Sequence, residues 1–329
     1  MSIRNQQSVI STSRVFDRNR QVLVLVGPTA SGKTAISIEL AKLLDGEIIS
    51  ADSRQIYRDL DVGTAKPTKE QRAEVVHYFV DELLPDQEFN AGKFGEMGRG
   101  VIDEIFARQK TPIVVGGSGL YVRSLIDGFF EGPGADRKLR ETFDRQVEAG
   151  ELKHLVEELR RVDPVSASRI DPTKPRRIIR ALEVFHTTGK PLSEHQQESS
   201  IVINFVPRIF GLEWERKALY ERIDSRCDEM IRNGLLQEVE GLARSGYTTS
   251  LNALNTVGYA EAFAYQSGKI PYEEMVRLFK QNSRRYAKRQ LTWFRKDERV
   301  TWITMSGQTR SDETALRIAQ LFRSSIANQ

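Results

Sequence analysis

Gly27-Pro28-Thr29-Ala30-Ser31-Gly32-Lys33-Thr34 fits the phosphate-loop pattern G-x-x-x-x-G-K-[ST] at every fixed position. Its flanks decide the fold. Upstream, Gln21-Val22-Leu23-Val24-Leu25-Val26 is an apolar, β-branched run of the kind that forms a buried strand. Downstream, Ile36, Leu40, Leu43 and Leu44 recur at helical spacing. The order strand, glycine loop, helix has an electrostatic purpose. Gly27 and Gly32 let successive backbone N–H groups converge on an anion, and the helix N-terminus adds its dipole. Lys33 is placed to reach a terminal phosphate, and the Thr34 hydroxyl to hold Mg²⁺. The loop alone leaves open which polyphosphate it holds.

Working outward, Gly46-Glu47-Ile48-Ile49-Ser50 reads as a second strand running into Ala51-Asp52-Ser53. In open α/β sheets ligands bind at the carboxyl ends of strands. Asp52 is therefore placed beside the phosphate loop, unless it is an ordinary turn aspartate. Tyr57 to Pro67 has loop character, and Val75 to Leu84 reads as strand and loop. Phe94 to Arg108 predicts a helix with Met97, Val101, Ile102, Ile105 and Phe106 on one side. Thr111-Pro112-Ile113-Val114-Val115 is a third buried strand, running into the second glycine turn Gly116-Gly117-Ser118-Gly119. Strands alternating with helices indicate an α/β protein with a parallel sheet.

The pattern changes over 131–200. Gly132-Pro133-Gly134 breaks the chain, and helical segments follow at 137–149, 152–160 and 176–187. Asp163-Pro164 and Asp171-Pro172 start turns or helices between them. This reads as a small helical insertion domain, after which strand character returns at 201–212. The expected division is an extension at 1–20, a phosphate-loop core formed by 21–130 and 201–315, and the insertion at 131–200. The last third is helical. Ala218 to Asn233 carries Ile223, Cys227, Met230 and Ile231 at core spacing, and Pro271 opens a long helix to about Lys296. From Val276 to Lys296 there is no acid, but eight cations interleaved with Tyr286, Trp293 and Phe294. Solvated faces usually mix signs, so this run predicts a nucleic-acid footprint.

Composition bounds the rest. The 329 residues carry 49 Lys and Arg against 45 Asp and Glu, a net +4, so only local clustering can argue for nucleic acid. Cys227 is the single cysteine, which excludes an intramolecular disulfide and a cysteine zinc site and fits a reducing cytoplasm. No apolar run approaches the ~18 residues of a membrane span. Residues 1–20 read as a frayed terminus rather than an amphipathic transit peptide. Nothing asks for more than a monomer.

A phosphate-loop ATPase normally has an acid at the end of a buried strand to help hold Mg²⁺. The third strand ends Val114-Val115-Gly116-Gly117 and offers none, so Asp52 is the one strand-end carboxylate near the loop. Two classes remain on these residues. The loop binds ATP for kinase or ATPase work, or it binds the diphosphate of another substrate with Asp52 as base.

Seven blocks, in order over about residues 21 to 300, resemble the tRNA dimethylallyltransferase (tRNA isopentenyltransferase) family of bacterial type. They are GPTASGKT (27–34), SADSRQIY (50–57), DVGTAKP (61–67), VGGSGLY (115–121), PRRIIRALE (175–183), TVGY (256–259) and AKRQLTW (287–293). The resemblance implies transfer of a dimethylallyl group from dimethylallyl diphosphate to N6 of the adenine just 3′ of the anticodon. It implies that Thr29 bonds the bridging oxygen, that Lys33 and Arg226 contact the diphosphate, and that Asp52 takes the amine's proton. It further implies RNA contacts at Asp52, Ser53, Arg54, Gln55, Ser118 and Arg140. The implied contacts continue at Arg176, Arg177, Ile178, Ile179 and Arg180, and at Asn255, Thr256, Val257, Gly258, Tyr259 and Ala260. A last group is Asn282, Ser283, Arg284, Arg285, Tyr286, Ala287, Lys288 and Arg289. Ser118 stands where the family often has Thr and keeps the hydroxyl. The zinc finger of some eukaryotic members is excluded by the single cysteine. A small-molecule kinase, which would not need the basic helix, and a non-catalytic RNA-binding module, which would not need Asp52, are the alternatives.

Overall fold

The computed structural model describes residues 20–128, 136–198 and 203–327. Most of the extension at 1–20 and the Gly132-Pro133-Gly134 break lie outside them. The chain divides into two compact units, one running to Ile126 and resuming at Val202, the other Asp127–Ile201.

The first unit opens with β1 (Gln21–Val26), in which every residue is buried. A strand buried on both faces needs a parallel neighbour on each side and helices above and below. The elements that supply them are α1 (Lys33–Leu44), β2 (Gly46–Ser50), α2 (Lys69–Glu74), β3 (His77–Tyr78), α3 (Ala91–Ala107), β4 (Thr111–Gly116) and α4 (Gly119–Ile126). The second unit is helical: α5 (Arg137–Glu148), α6 (Leu152–Val162), α7 (Pro164–Arg169), α8 (Pro175–Thr188) and α9 (Leu192–Glu198). The first unit then resumes with β5 (Val206–Trp214), α10 (Arg216–Arg232), α11 (Leu235–Arg244), α12 (Tyr259–Gln266), α13 (Tyr272–Phe294), β6 (Val300–Met305) and α14 (Ser311–Ala327). The core thus continues through α14, past the expected limit at 315.

The six strands form one parallel sheet in the order β3-β2-β4-β1-β5-β6. β1 lies between β4 and β5, with Val24 opposite Val114 on one side and Ile209 on the other. The carboxyl ends of β1, β2, β4 and β5 therefore share one edge of the sheet, where ligands of such folds bind. α1 packs with α14, and α3 with α4. α3 departs from the sequence reading in which face it buries. Met97 is 49% exposed, and the buried stripe is Phe94, Gly95, Gly98, Ile102 and Ile105. Two glycines on that stripe let α4 approach closely. An apolar-periodicity reading favours the larger Met97 and misses them.

The second unit has its own core of Phe143, Leu155, Leu159, Ile178, Ile179, Ala181 and Leu182. Asp163 caps α7 as its Asp-Pro pair predicts, accepting from Ser166 N at 2.9 Å. Fully buried, it also takes the Ser193 hydroxyl at 2.6 Å, which ties α9 to α7. The short α2 and α9 have no counterpart in the sequence reading.

Candidate active site

The phosphate loop follows β1 and opens into α1. Gly32 has φ 94°, a left-handed value that favours glycine and turns the chain into the helix. The loop is held by groups far away in sequence. The Trp214 indole N–H donates to Ser31 O at 3.1 Å, and Arg222 Nε donates to Ala30 O at 2.9 Å. Arg222 also lies over the Trp214 ring, 4.3 Å from its centroid. From α13, Gln290 accepts from Thr29 N–H at 2.8 Å and donates to Gly117 O at 3.0 Å. The buried amide of Gln290 thus joins the phosphate loop to the second glycine turn. A Cβ on Gly117 would stand 2.1 Å from Gln290 Nε2 and one on Gly116 2.1 Å from Ala51 O, so neither position of the turn has room for a side chain. None of these anchors carries a local signal; only their long-range contacts reveal them.

Two adjoining cavities open beside the loop. The larger, about 450 Å³, is lined by Thr29 to Thr34, Asp52, Gln55, Arg222, Arg226, Tyr286 and Gln290, among others. The smaller, about 170 Å³, has an apolar wall of Ile223, Cys227, Met230, Val257 and Phe279. Thr29, Asp52, Thr64, Arg226 and Tyr286 line both, so this is where the two meet. An anion site adjoins a chamber with one apolar wall, and Asp52 stands where the two meet.

Asp52 follows the end of β2 as the sequence suggests. Its Oδ1 accepts from Arg54 N–H at 2.9 Å, which fixes the side chain in a short turn. Ser118 Oγ accepts from Ser53 N–H at 3.2 Å, so β4's glycine turn braces the same segment. Arg226 comes from α10. Its buried Nε has no hydrogen-bond partner among the described residues, an orphaned donor on the wall of an anion-sized cavity. Burial lowers the Arg226 guanidinium pKa, and the charge of Asp52 opposes that. Burial pushes the Tyr286 phenol up to about 12, so at neutral pH it remains a hydroxyl donor.

Lys33 donates from Nζ to Gly27 O at 3.0 Å and Pro28 O at 2.7 Å, carbonyls of its own loop. Burial first, and the Arg226 charge second, lower its pKa to about 7, with Asp52 pulling the other way. A bound anion favours the charged form and raises that value again. Lys33 must then take up a proton when diphosphate binds near or above pH 7. Affinity for inorganic diphosphate is expected to weaken as pH rises above about 7, by up to about tenfold per unit for one linked proton. Calorimetry in buffers of different ionisation enthalpy checks this. Binding heats at pH 8 that are independent of the buffer would contradict it.

The expected RNA contacts sort by burial. Tyr259, Ala287, Ile178 and Ile179 are packed inside, which corrects the reading of whole segments as RNA-facing. Their side chains pack against the protein interior. Ser283 is also buried, with Cys227 Sγ 3.5 Å from its Oγ, on the wall of the smaller cavity. Thr256 and Val257 line that cavity, while Asn255 is exposed and Gly258 caps α12. Gln55 accepts from Ser50 Oγ at 3.0 Å. In the second unit, Arg140 and Arg180 bind the fully buried Glu183, at 2.7 and 2.8 Å, while Arg176 and Arg177 are exposed.

The acid-free run of α13 is a second correction. It is not without anions, because other elements supply them. Lys280 pairs with Asp228 at 2.7 Å, Arg284 with Asp224 at 2.5 Å and Arg295 with Glu213 at 2.7 Å. Arg277 pairs with Glu274, one turn before the run begins. Among the described residues, Arg285, Lys288 and Arg289 have no carboxylate at ion-pair distance, and all three are exposed. The cations left unpaired, with the exposed Lys296, are thus fewer than the run of sequence suggests.

A parallel sheet with a phosphate loop at its carboxyl edge, an adjoining chamber with an apolar wall and a carboxylate where the two meet defines an enzyme of the phosphate-loop α/β class. The sequence pattern of the family described as IPP transferase matches residues 55–297. The chain belongs to that family. It is 45% identical over 284 residues to "tRNA dimethylallyltransferase 1" of Trichlorobacter lovleyi, covering 86% of this chain and 93% of the relative. It is 44% identical over 300 residues to the tRNA dimethylallyltransferase of Acetivibrio thermocellus, covering 90% and 95%. Among solved structures it matches the full-length tRNA isopentenylpyrophosphate transferase of Bacillus halodurans with TM-score 0.70 and 37% identity, over 94% of this chain and 97% of that one. A eukaryotic dimethylallyltransferase described as acting on tRNA matches with TM-score 0.80 and 26% identity, over 94% and 80%. These similarities favour the transferase over the kinase and over a binding module. No described helix is long and apolar enough to cross a membrane.

Proposed function

We propose that the protein is a tRNA dimethylallyltransferase. It moves a dimethylallyl group from dimethylallyl diphosphate to N6 of adenine 37 in tRNAs reading codons that begin with U, and releases diphosphate. The observation that carries this reading is the meeting, at Asp52 and Arg226, of an anion cavity and a second cavity with an apolar wall. The loop N–H groups, Lys33 and Arg226 hold the diphosphate, and the Thr29 hydroxyl reaches its bridging oxygen. As the allylic C–O bond breaks, its electron pair leaves on that oxygen, and these preorganised donors stabilise the growing charge. The adenine, unstacked from the anticodon loop, enters beside Asp52. Its exocyclic nitrogen attacks the allylic carbon and gives a proton to Asp52.

Thr34 lines the anion cavity and suits Mg²⁺, a hard cation that takes few protein ligands and fills its shell with phosphate oxygens and water. Bound there, Mg²⁺ would neutralise charge on the diphosphate. We assign this chemistry to a cytoplasmic monomer.

Incubation with carbon-labelled dimethylallyl diphosphate, and in parallel with γ-labelled ATP, tests the reading. Label is expected in tRNA from the first alone. Transfer of the ATP label to any acceptor, with none from the diphosphate, would overturn it. The exposed stripe on α13 gives a second test. Replacing Arg285, Lys288 and Arg289 with Gln is expected to weaken tRNA binding and reduce its log–log salt slope by about 0.7 to 0.9 per lost phosphate contact. Donor affinity should hold. An unchanged salt slope would show that this face of α13 meets only solvent.

A further inference from the structure

The loop after Leu60 forms a wall of both cavities. Thr64 lines the two of them, and Gly63 lines the smaller. The loop has no helix or strand of its own, and its residues are held from two sides. Gln55 Nε2 donates to Thr64 O and Ala65 O, each at 3.4 Å. The other side rests on Glu238, in the first turn of α11 and 175 or more positions away in sequence. Glu238 Oε2 accepts from Asp61 N–H at 2.8 Å and Val62 N–H at 2.7 Å, and Oε1 from Gly63 N–H at 3.1 Å. The Tyr259 hydroxyl donates to Oε1 as well. Three successive backbone N–H groups converging on one carboxylate form an anion nest whose anion is a side chain. The Tyr259 ring lies against Gly63 so closely that a Cβ there would stand 2.5 Å from Cε2.

Glu238 lines neither cavity. We infer that Glu238 is a positioning residue for the transfer, holding Thr64 through the backbone of Asp61, Val62 and Gly63 at the junction beside Asp52. The inference rests on the transferase reading of that junction. Without the carboxylate, three N–H groups lose their acceptor and the loop on that side keeps only the packing of the Tyr259 ring and the Lys66–Asp61 pair. The phosphate loop takes no bond from Glu238, so its own contacts to the diphosphate stay in place and the change in donor binding is small beside the change in rate. What changes is the alignment of amine, allylic carbon and base at the junction, and a misplacement of about 1 Å can cost on the order of 100-fold.

The test compares wild type, Glu238→Ala, Glu238→Gln and Tyr259→Phe in single-turnover transfer, donor binding, thermal melting and amide exchange. Glu238→Ala is expected to lower the transfer rate by about 10- to 100-fold with a much smaller change in donor affinity, and to speed exchange of the 61–63 amides. Glu238→Gln, which keeps one carbonyl acceptor, should recover part of the rate. Tyr259→Phe leaves all three loop bonds in place and should leave exchange of the 61–63 amides near wild type. A folded Glu238→Ala with the wild-type rate, altered only in melting temperature, would overturn the inference. If Glu238→Ala fails to fold, Glu238→Gln decides alone: a wild-type rate and unchanged 61–63 exchange overturn it. Failure of the wild type itself to transfer the prenyl group would count against the transferase reading, whereas the exchange result stands apart from that reading.

Discussion

Lys33→Ala is expected to cut the transfer rate by about 100- to 1,000-fold, the usual cost of losing one preorganised charge-stabilising group. The reason lies in the position of the ammonium. It sits at the phosphate loop, beside Arg226 and across from Asp52, where charge gathers on the departing diphosphate. The fold should survive the change. In the free protein Lys33 bonds only two carbonyls of its own loop, and burial already disfavours its charged form. Diphosphate binding in the variant should also lose the linked proton uptake described above. Single-turnover kinetics and thermal melting read both halves of the expectation. A folded variant with normal transfer would remove Lys33 from the donor site.

Asp52→Asn is the second large effect. An adenine amine is a poor nucleophile because its lone pair is shared with the ring, and it must shed a proton as the C–N bond forms. General-base assistance of this kind is typically worth 10²- to 10⁴-fold. Asn keeps the size of the side chain and can still accept the Arg54 N–H that orients Asp52. It cannot accept the proton. The rate should fall by about 10²-fold or more while tRNA and donor binding change little. If Asp52 instead serves mainly to hold Mg²⁺, donor affinity falls first and the rate recovers at high Mg²⁺. Single-turnover rates across a Mg²⁺ titration separate the two, and recovery would exclude the base role.

What the sequence reveals of this site is what lies close together in the chain. The phosphate loop carries its fixed residues within eight positions, between a strand and a helix that announce themselves by period. Asp52 is legible because a strand end predicts where it goes. The groups that make the site rigid are not legible in this way. Gln290, Trp214, Arg222 and Glu238 each act across a large sequence separation and look like ordinary helix or strand residues. Arg226 was reached only through family resemblance, and the structure gives it a physical mark, an orphaned donor at the cavity wall. The basic helix shows the opposite failure. A window along α13 sees cations without anions, but Asp224 and Asp228 of α10 and Glu213 of β5 neutralise part of it. Likewise Tyr259 and Ala287 sit within segments that resemble RNA-contacting ones, yet only burial distinguishes side chains that face a partner from those that hold up the wall.

The central claim is that this phosphate loop serves an allylic diphosphate whose carbon group passes to an adenine amine. Reaction of anticodon-bearing tRNA with labelled dimethylallyl diphosphate, followed by nuclease digestion and mass spectrometry of the nucleosides, tests it most directly. The account predicts one labelled nucleoside, an adenosine from the position just 3′ of the anticodon, with the prenyl group on N6. Label on another base or another atom, or no labelled nucleoside while the phosphate of ATP is transferred, would contradict it.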